Sequence, residues 1–275
     1  MRNVLIFGSG WLGNKFAQYL GAKLSGVDIT DKQAVLEEIK KYKPDVVLNA
    51  AGKTGRPNID WCEDHKEETV ASNITGPLIL HDVCRSRNIF FTHLSSGCIY
   101  DGAPPRESGF TEEDKPNPVS FYSWTKVEAE NLLKIFLVLI LRLRMPIDSK
   151  PHPRNLITKL AGYKNVIDVE NSVTVIDDLL FAAKKLIDAR AMGIFNVVNP
   201  GAIKHKEILA WYKEIIDPAH VYTLIKPKEL FEKGLAKAGR SNCLLDTTKL
   251  AEAGILLPAA RQAVRDSILK YKNNI

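Results

Sequence analysis

The run Leu94-Ser95-Ser96-Gly97-Cys98-Ile99-Tyr100 sets two hydroxyls, a thiol and a phenol within seven residues. The apolar Ile89-Phe90-Phe91 just before it reads as a buried parallel strand, so these groups fall at a strand's carboxyl end, where open α/β sheets bind ligands. Downstream, Tyr122-Ser123-Trp124-Thr125-Lys126 puts a phenol and an ammonium one helical turn apart, on one face. Ser96, Cys98, Tyr122 and Lys126 converging on one crevice would form a proton-handling site. Lys126 would lower the phenol pKa by its positive charge. Tyr122 would then give its proton to a carbonyl oxygen as hydride reaches the carbon, with Ser96 fixing that oxygen. The plainer reading makes Ser95 and Ser96 turn caps and Cys98 a small, inert core residue. Tyr-x-x-x-Lys alone is a poor guide, since Tyr19/Lys23 and Tyr222/Lys226 share the spacing. Only Tyr122/Lys126 follows a strand-end serine and precedes a helix–strand unit.

The elements that must position these groups can be read in order. Met1 to Phe7 is a strand that runs directly into Gly8-Ser9-Gly10-Trp11-Leu12-Gly13 and a helix to about Leu20. This is G-x-G-x-x-G in strand–turn–helix context, so Gly8, Gly10, Trp11, Leu12 and Gly13 are expected to hold a dinucleotide pyrophosphate at the helix terminus. A second strand, Lys23 to Val27, ends at Asp28, at a suitable distance to grip the adenosine ribose, though its Asp-Ile-Thr setting suits a border to the adenine equally. Thr30-x-x-Gln33 reads as a capping box for a helix to about Lys41. Val46-Val47-Leu48 is a third strand, ending in Asn49-Ala50-Ala51-Gly52. Helices are expected over Asp60 to Glu68 and Thr69 to Arg87, the second with Asn73 inside it. Gly102 to Pro118, rich in Gly, Pro and acid, reads as a mobile lid. Ser120 caps the helix of Tyr122 and Lys126, and the apolar run from Ile135 leads a strand to Leu143. Prolines 146, 151 and 153 mark an irregular crossing, followed by a short helix from Asn155 to Ala161 that carries Lys159. Asp177 to Ala189 is helix, and Gly193 to Val198 the last sheet strand.

The expected fold is α/β: a Rossmann-type doubly wound parallel sheet with a smaller C-terminal substrate lobe. Residues 1–145 would form the dinucleotide-binding domain, to which 170–200 return, and 146–275 mostly the substrate-binding lobe. The formal charge of +6 is spread among acids without a basic, aromatic-lined stripe, which argues against nucleic acid as a partner. Cys62, Cys84, Cys98 and Cys243 show neither metal-ligand spacing nor a disulfide framework. The longest apolar run, Ile135 to Leu141, is too short for a membrane span. A soluble, cytoplasmic protein without bound metal is expected.

At this level of detail the chain resembles a known family. The glycine turn, Asn49-Ala50-Ala51-Gly52, Asn73-Ile74-Thr75-Gly76, Ser96 and Tyr122-x-x-x-Lys126 are similar to the extended short-chain dehydrogenases/reductases. Gly55-Arg56-Pro57-Asn58-Ile59-Asp60-Trp61-Cys62-Glu63, Gly97-Cys98-Ile99, Arg142-Leu143-Arg144-Met145-Pro146, Pro153 to Lys159 and Arg240-Ser241-Asn242 resemble the bifunctional nucleotide-rhamnose synthases, the UDP-4-keto-6-deoxy-glucose 3,5-epimerase/4-reductases of plants and large viruses. The resemblance covers nearly the whole chain.

It implies two activities in one pocket. A 4-keto group acidifies the protons on C3 and C5, and inverting those carbons needs a base on one ring face and an acid on the other. By resemblance Cys98 is one partner and Lys159 the other; Tyr122 and Lys126 then reduce the ketone with NADPH, NADH being the alternative donor. Asn49, Ala50 and Ala51 are implied at the cofactor, and Arg56, Asn73, Asn155 and Arg240 at the nucleotide-sugar, the arginines because guanidinium suits phosphate; the plainer readings make Lys159 a surface lysine on a short helix and Asn73 a brace for the active-site loop. A homodimer is one assembly left open. Gly8 and Gly10 are separated by one residue where relatives usually have two, which bears on cofactor preference. Two other readings compete: a reductase without epimerase activity, similar to dTDP-4-dehydrorhamnose reductase, and a non-catalytic cofactor-binding regulatory subunit of the same fold.

Overall fold

A computed structural model describes residues 2–275 of the chain. In order, the elements are β1 (Val4–Phe7), α1 (Trp11–Leu20), β2 (Lys23–Ser25), α2 (Lys32–Tyr42), β3 (Val46–Asn49), α3 (Asp60–Asp64), α4 (Lys66–Val70), α5 (Gly76–Arg85), β4 (Phe90–Ser96), α6 (Phe121–Leu133) and β5 (Leu139–Leu143). The second half holds β6 (Pro146–Ile147), α7 (Leu156–Gly162), β7 (Asn165–Ile167), β8 (Glu170–Asn171), β9 (Thr174–Val175), α8 (Ile176–Asp188), β10 (Gly193–Asn196), β11 (Ile203–Lys204), α9 (His205–Ile215), β12 (Thr223–Ile225), α10 (Glu229–Glu232), α11 (Thr248–Glu252) and α12 (Ala260–Lys272).

Six strands pair in parallel in the order β10-β5-β4-β3-β1-β2. Short, continuously apolar strands such as Val4-Leu5-Ile6-Phe7 suit a sheet covered on both faces. One face packs on α1 and α8 through Ile6, Phe16, Leu48, Leu141 and Leu179. The other packs on α2, α5 and α6 through Leu5, Val35, Val47, Leu80, Phe91 and Leu133. The chain leaves β1 sideways to β2 and returns on the opposite side to β3. The crevice of such a sheet opens at that reversal, over the carboxyl ends of β1 and β3. A second core, from Ile147, Leu156, Ile157, Val175, Leu209, Val264 and Ile268, joins α7, α9 and α12 beside the sheet. The helix α8 and the strand β10 return to the main sheet.

Several expected boundaries move. The strand read from Ile135 begins at Leu139; Ile135 and Leu137 are 73% and 78% exposed. They lie in the turn after α6, where apolar composition imitates a buried strand. The cap of α2 is Asp31, whose carboxylate accepts from the N–H groups of Gln33 and Ala34, rather than Thr30. The helix expected from Asp60 to Glu68 breaks at His65, and the one from Thr69 contains a π-helical turn over Ala71–Thr75. The expected lid is pinned in place. Phe110 bridges Leu245 and stacks on Tyr100 at 4.5 Å, and a buried Glu112 accepts from the backbone N–H of Asn196 at 2.7 Å.

Candidate active site

The dinucleotide turn is built by close backbone approach. Gly8 has φ +103°, and a Cβ there would overlap the backbone of Ala50 and Ala51 at the end of β3. A Cβ on Gly13 would run into the carbonyl oxygen of Gly8, so this glycine lets α1 sit directly on β1. Gly10 faces open space instead, and as the N-cap of α1 it offers no side chain to the first-turn N–H groups. A ten-residue helix with an uncapped N-terminus beside a β1–β3 crevice fits a pyrophosphate. Leu12 packs into the core below, whereas Trp11 stacks on His152 of the crossing segment, ring centroids 4.6 Å apart. Asp28 is exposed and accepts from the N–H and hydroxyl of Thr30 at 2.9 and 2.8 Å, which holds its carboxyl below the usual range.

Asn49, the last residue of β3, accepts from the N–H of Ala51 at 3.0 Å and donates to His93 Nδ1 at 3.1 Å, shaping the Asn49–Gly52 turn. The loop beyond is tied down by Asn73, which is fully buried in the π-helical turn. Its Oδ1 accepts from Lys53 N–H at 2.7 Å, and its Nδ2 donates to Lys53 O and to Thr125 Oγ1 at 2.9 and 3.1 Å. Asn73 thus uses its amide to brace the loop against α6.

The helix α6 starts at Ser120, whose Oγ accepts from Ser123 N–H at 3.1 Å. It presents Tyr122, Lys126 and Glu130 on one face toward the ends of β4 and β5. Tyr122 is 8% exposed, with Ser96 and Cys98 beside its phenol. Burial raises the phenol pKa, and the neighbouring Cys98 adds to this, opposed by the Ser96 hydroxyl and the charge of Arg154. The lowering expected from Lys126 is therefore not what dominates; desolvation of the anion outweighs nearby positive charge. Lys126 is 4% exposed, donates to Leu94 O at 3.3 Å, and has its pKa brought down to about 8 by burial, with Cys98 and Glu130 acting the other way. Among the described residues no carboxylate pairs with it, so a ligand hydroxyl could take its remaining N–H groups. A Cβ on Gly52 would lie 3.5 Å from its Nζ, so the glycine keeps that side open.

Cys98 sits in the 3₁₀ turn Gly97–Ile99 that Ser96 caps. Its sulfur receives the Ser96 hydroxyl at 3.0 Å and the Ser123 hydroxyl at 3.3 Å. Lys159 on α7 is partly buried beside Arg154 and Arg240, and burial followed by those two charges lowers its pKa. A lysine so placed has proton-accepting capacity nearer neutrality than a surface one. Arg154, whose charge reaches both Lys159 and Tyr122, also donates to Thr54 Oγ1.

Two expected sugar ligands have other work. Asn155 is fully buried and caps α7; its Oδ1 accepts from Ile157 and Asp148 N–H, and its Nδ2 donates to Asp148 O and Lys150 O. It shapes the crossing segment instead of facing a ligand. Arg240 forms a two-pronged ion pair with Asp60 at 2.8 and 2.7 Å. Arg56 is exposed on the turn that follows Gly55, outside this network.

The RmlD substrate binding domain family matches residues 9–273. The chain belongs to that family. Among its curated relatives, an Arabidopsis thaliana bifunctional dTDP-4-dehydrorhamnose 3,5-epimerase/dTDP-4-dehydrorhamnose reductase is 40% identical over 98% of this chain and 92% of its own. The solved L780 UDP-rhamnose synthase from Acanthamoeba polyphaga mimivirus aligns with a TM-score of 0.91 at 34% identity, covering 98% of this chain and 99% of that one. A Bacillus anthracis dTDP-4-dehydrorhamnose reductase solved in complex with NADP shares the fold, with a TM-score of 0.81 at 17% identity over 98% and 99%.

Reading the sequence missed three parts of this RmlD-family site. Arg154 carried a signal, an arginine inside the proline-rich crossing. The buried set of Ser95, Glu130, Arg142 and Tyr100 did not, because its members lie on separate elements. Ser95 donates to Glu130 at 2.5 Å, Glu130 takes Arg142 at 2.7 Å, and Arg142 donates to Tyr100 Oη at 3.1 Å. Ser123 was hidden inside the Tyr-x-x-x-Lys spacing itself.

Proposed function

We propose that this chain is a bifunctional 3,5-epimerase and NADPH-dependent 4-keto reductase that converts UDP-4-keto-6-deoxy-D-glucose to UDP-L-rhamnose. The observation that carries the reading is the Cys98 sulfur, which takes the Ser96 hydroxyl at 3.0 Å and stands beside the buried phenol of Tyr122. A reductase needs the phenol and the serine; it does not need the thiol.

NADPH, when bound, supplies the hydride that reaches C4. Gly8, Gly10 and Gly13 admit its pyrophosphate, Asn49 to Ala51 shape the crevice wall, and Lys126 holds its ribose hydroxyls. Ser96 hydrogen-bonds the 4-keto oxygen, and Tyr122 gives that oxygen a proton, so that ketone becomes alcohol. Burial keeps the Tyr122 proton in place until a stronger base, the developing alkoxide, arrives. In the preceding inversions Lys159 and Cys98 serve opposite ring faces. One takes the proton acidified by the ketone, the resulting enolate oxygen rests on Ser96 and Tyr122, and the other returns a proton to carbon. Arg154 and Arg56 hold the diphosphate, and Arg240 sets the floor of that lobe through Asp60. No helix among the described residues is long and apolar enough to cross a membrane. With four free cysteines, the chain suits a reducing cytosol.

The test is one incubation of UDP-4-keto-6-deoxy-glucose with protein and NADPH in D2O. NADPH oxidation with solvent deuterium at both C3 and C5 of a rhamnose-configured product is expected. Oxidation without deuterium at either carbon would mean a reductase alone.

A further inference from the structure

The N-terminus of α6 carries two serine hydroxyl contacts that a helix cap does not require. Ser120 already caps by accepting from Ser123 N–H, yet its own hydroxyl donates to Ser123 Oγ at 2.8 Å. A serine inside a helix ordinarily turns its hydroxyl back to the carbonyl three or four residues earlier. Ser123 instead donates outward to Cys98 Sγ at 3.3 Å, across to another segment. From the other side Ser96 donates to the same sulfur at 3.0 Å. Ser120 and Ser123 are both buried, so water does not compete for these hydroxyls.

We propose that Ser123 is a positioning residue for the Cys98 thiol, an inference that rests on the epimerase reading above. With both serine hydroxyls donating to it, the sulfur's acceptor directions are taken, and its own S–H bond is left to point into the crevice. After that proton passes to carbon, the Ser123 hydroxyl stays aimed at the thiolate and stabilises it, while the single Ser96 proton turns to the ketone oxygen. When Cys98 takes a proton from carbon in the reverse sense, the geometry is unchanged. Because Ser120 orients Ser123, the cap of the helix that carries Tyr122 also orients the thiol, and the proton donors for inversion and for reduction are held by one set of hydrogen bonds. Both serines bond the sulfur, but only Ser96 also acts on the phenol. Removal of Ser123 therefore separates the two half-reactions.

The experiment compares wild type, Ser123→Ala and Ser123→Thr in three readouts: deuterium uptake at C3 and C5 in D2O, NADPH oxidation on the pre-epimerised 4-keto-rhamnose nucleotide, and iodoacetamide alkylation of Cys98 followed by peptide mass. Ser123→Ala is expected to lower the ratio of exchange to reduction about tenfold, in line with loss of one hydrogen bond to a charged group, and Ser123→Thr to restore it. Equal loss in both half-reactions, or an unchanged ratio, would overturn the proposal. If wild type itself takes up no deuterium, the epimerase reading fails, and alkylation still decides the role of Ser123. Slower alkylation of Cys98 in Ser123→Ala than in wild type and Ser123→Thr upholds the positioning role; equal rates in all three remove it.

Discussion

Tyr122 and Lys126 are buried polar groups held in unfavourable surroundings, and both gain from it chemically. Desolvation makes the phenol cling to its proton, so the donor stays loaded at neutral pH. Replacing it, Tyr122→Phe, is expected to slow reduction by roughly 10²–10⁴-fold, the usual worth of a positioned general acid, while fluorescence titration still shows NADPH binding. Lys126 has a folded-state pKa of about 8 against an ordinary 10.5. The unfolded chain therefore holds this proton more tightly. The resulting penalty is complete below pH 8, shrinks as pH rises from 8 to 10.5, and is gone above that. It is on the order of 3 kcal/mol at neutral pH. Lys126→Met is thus expected to raise the thermal midpoint of the cofactor-free protein at pH 7, to lose that gain near pH 10.5, and to lose NADPH binding at every pH. A lower midpoint at pH 7 would show that the Leu94 contact outweighs the burial of charge.

The elements achieve this placement with a few side chains that cross between them. Gly13 lets α1 lie on β1, and Gly10 leaves the mouth of the turn clear. The pair separates packing from binding. Gly13→Ala should lower both the thermal midpoint and NADPH affinity, because its Cβ meets the Gly8 carbonyl. Gly10→Ala should weaken NADPH binding at least tenfold with little change in midpoint, because its Cβ enters only open space; calorimetric titration and thermal melts check both. The buried pair of Glu130 and Arg142 works similarly across α6 and β5. Removing one partner of such a pair costs about 3–5 kcal/mol. Glu130 also receives the Ser95 hydroxyl, so the residue before Ser96 is fixed to the helix that carries the phenol. The segment from Arg240 to Asp246 does the same from the C-terminal side. Ser241 donates to Tyr100 O, Cys243 Sγ to Gly97 O at 3.2 Å, and Arg240 holds Asp60. A Cβ on Gly97 would strike Leu245, so the thiol-bearing turn is pressed against this segment.

Across the whole molecule the two cores meet at the crossing segment, where His152 stacks on Trp11 and Asp148 pairs with Lys15 at 2.5 Å. Each lobe also holds a buried neutral imidazole. His93 lies under α6 with its pKa driven well below normal by burial, and His205 in the second lobe is brought down to about 4 from the ordinary 6.5 by the same cause. Both are depressed bases, so the unfolded chain binds more protons as pH falls. The contribution of His205 to stability is complete above pH 6.5 and is lost through the window from 6.5 to 4, about 3 kcal/mol in all. Thermal midpoints measured from pH 8 to 4 should fall below 6.5, and His205→Gln should flatten that fall. An unchanged slope in the variant would assign the acid sensitivity elsewhere.

Much of this was legible along the chain, because it depends on neighbours in sequence. The glycine turn, the Ser96–Cys98 turn, the Ser120 cap and the Tyr122/Lys126 face are local patterns, and strands alternating with helices impose a parallel sheet whose carboxyl ends gather them. The run from Ile135 misled for the same reason: local apolarity does not say which side chains a tertiary neighbour will cover. What only the folded molecule decided is where polar groups without local partners spend their hydrogen bonds. Asn73 and Arg240 were expected at the nucleotide-sugar, and the fold gives Asn73 to Lys53 and Thr125 and Arg240 to Asp60. Ser123 looked like filler between a tyrosine and a lysine and is turned toward a sulfur 25 residues away in the chain. A buried donor or acceptor must be satisfied wherever a partner lies, and sequence spacing carries no record of that partner once it sits on another element.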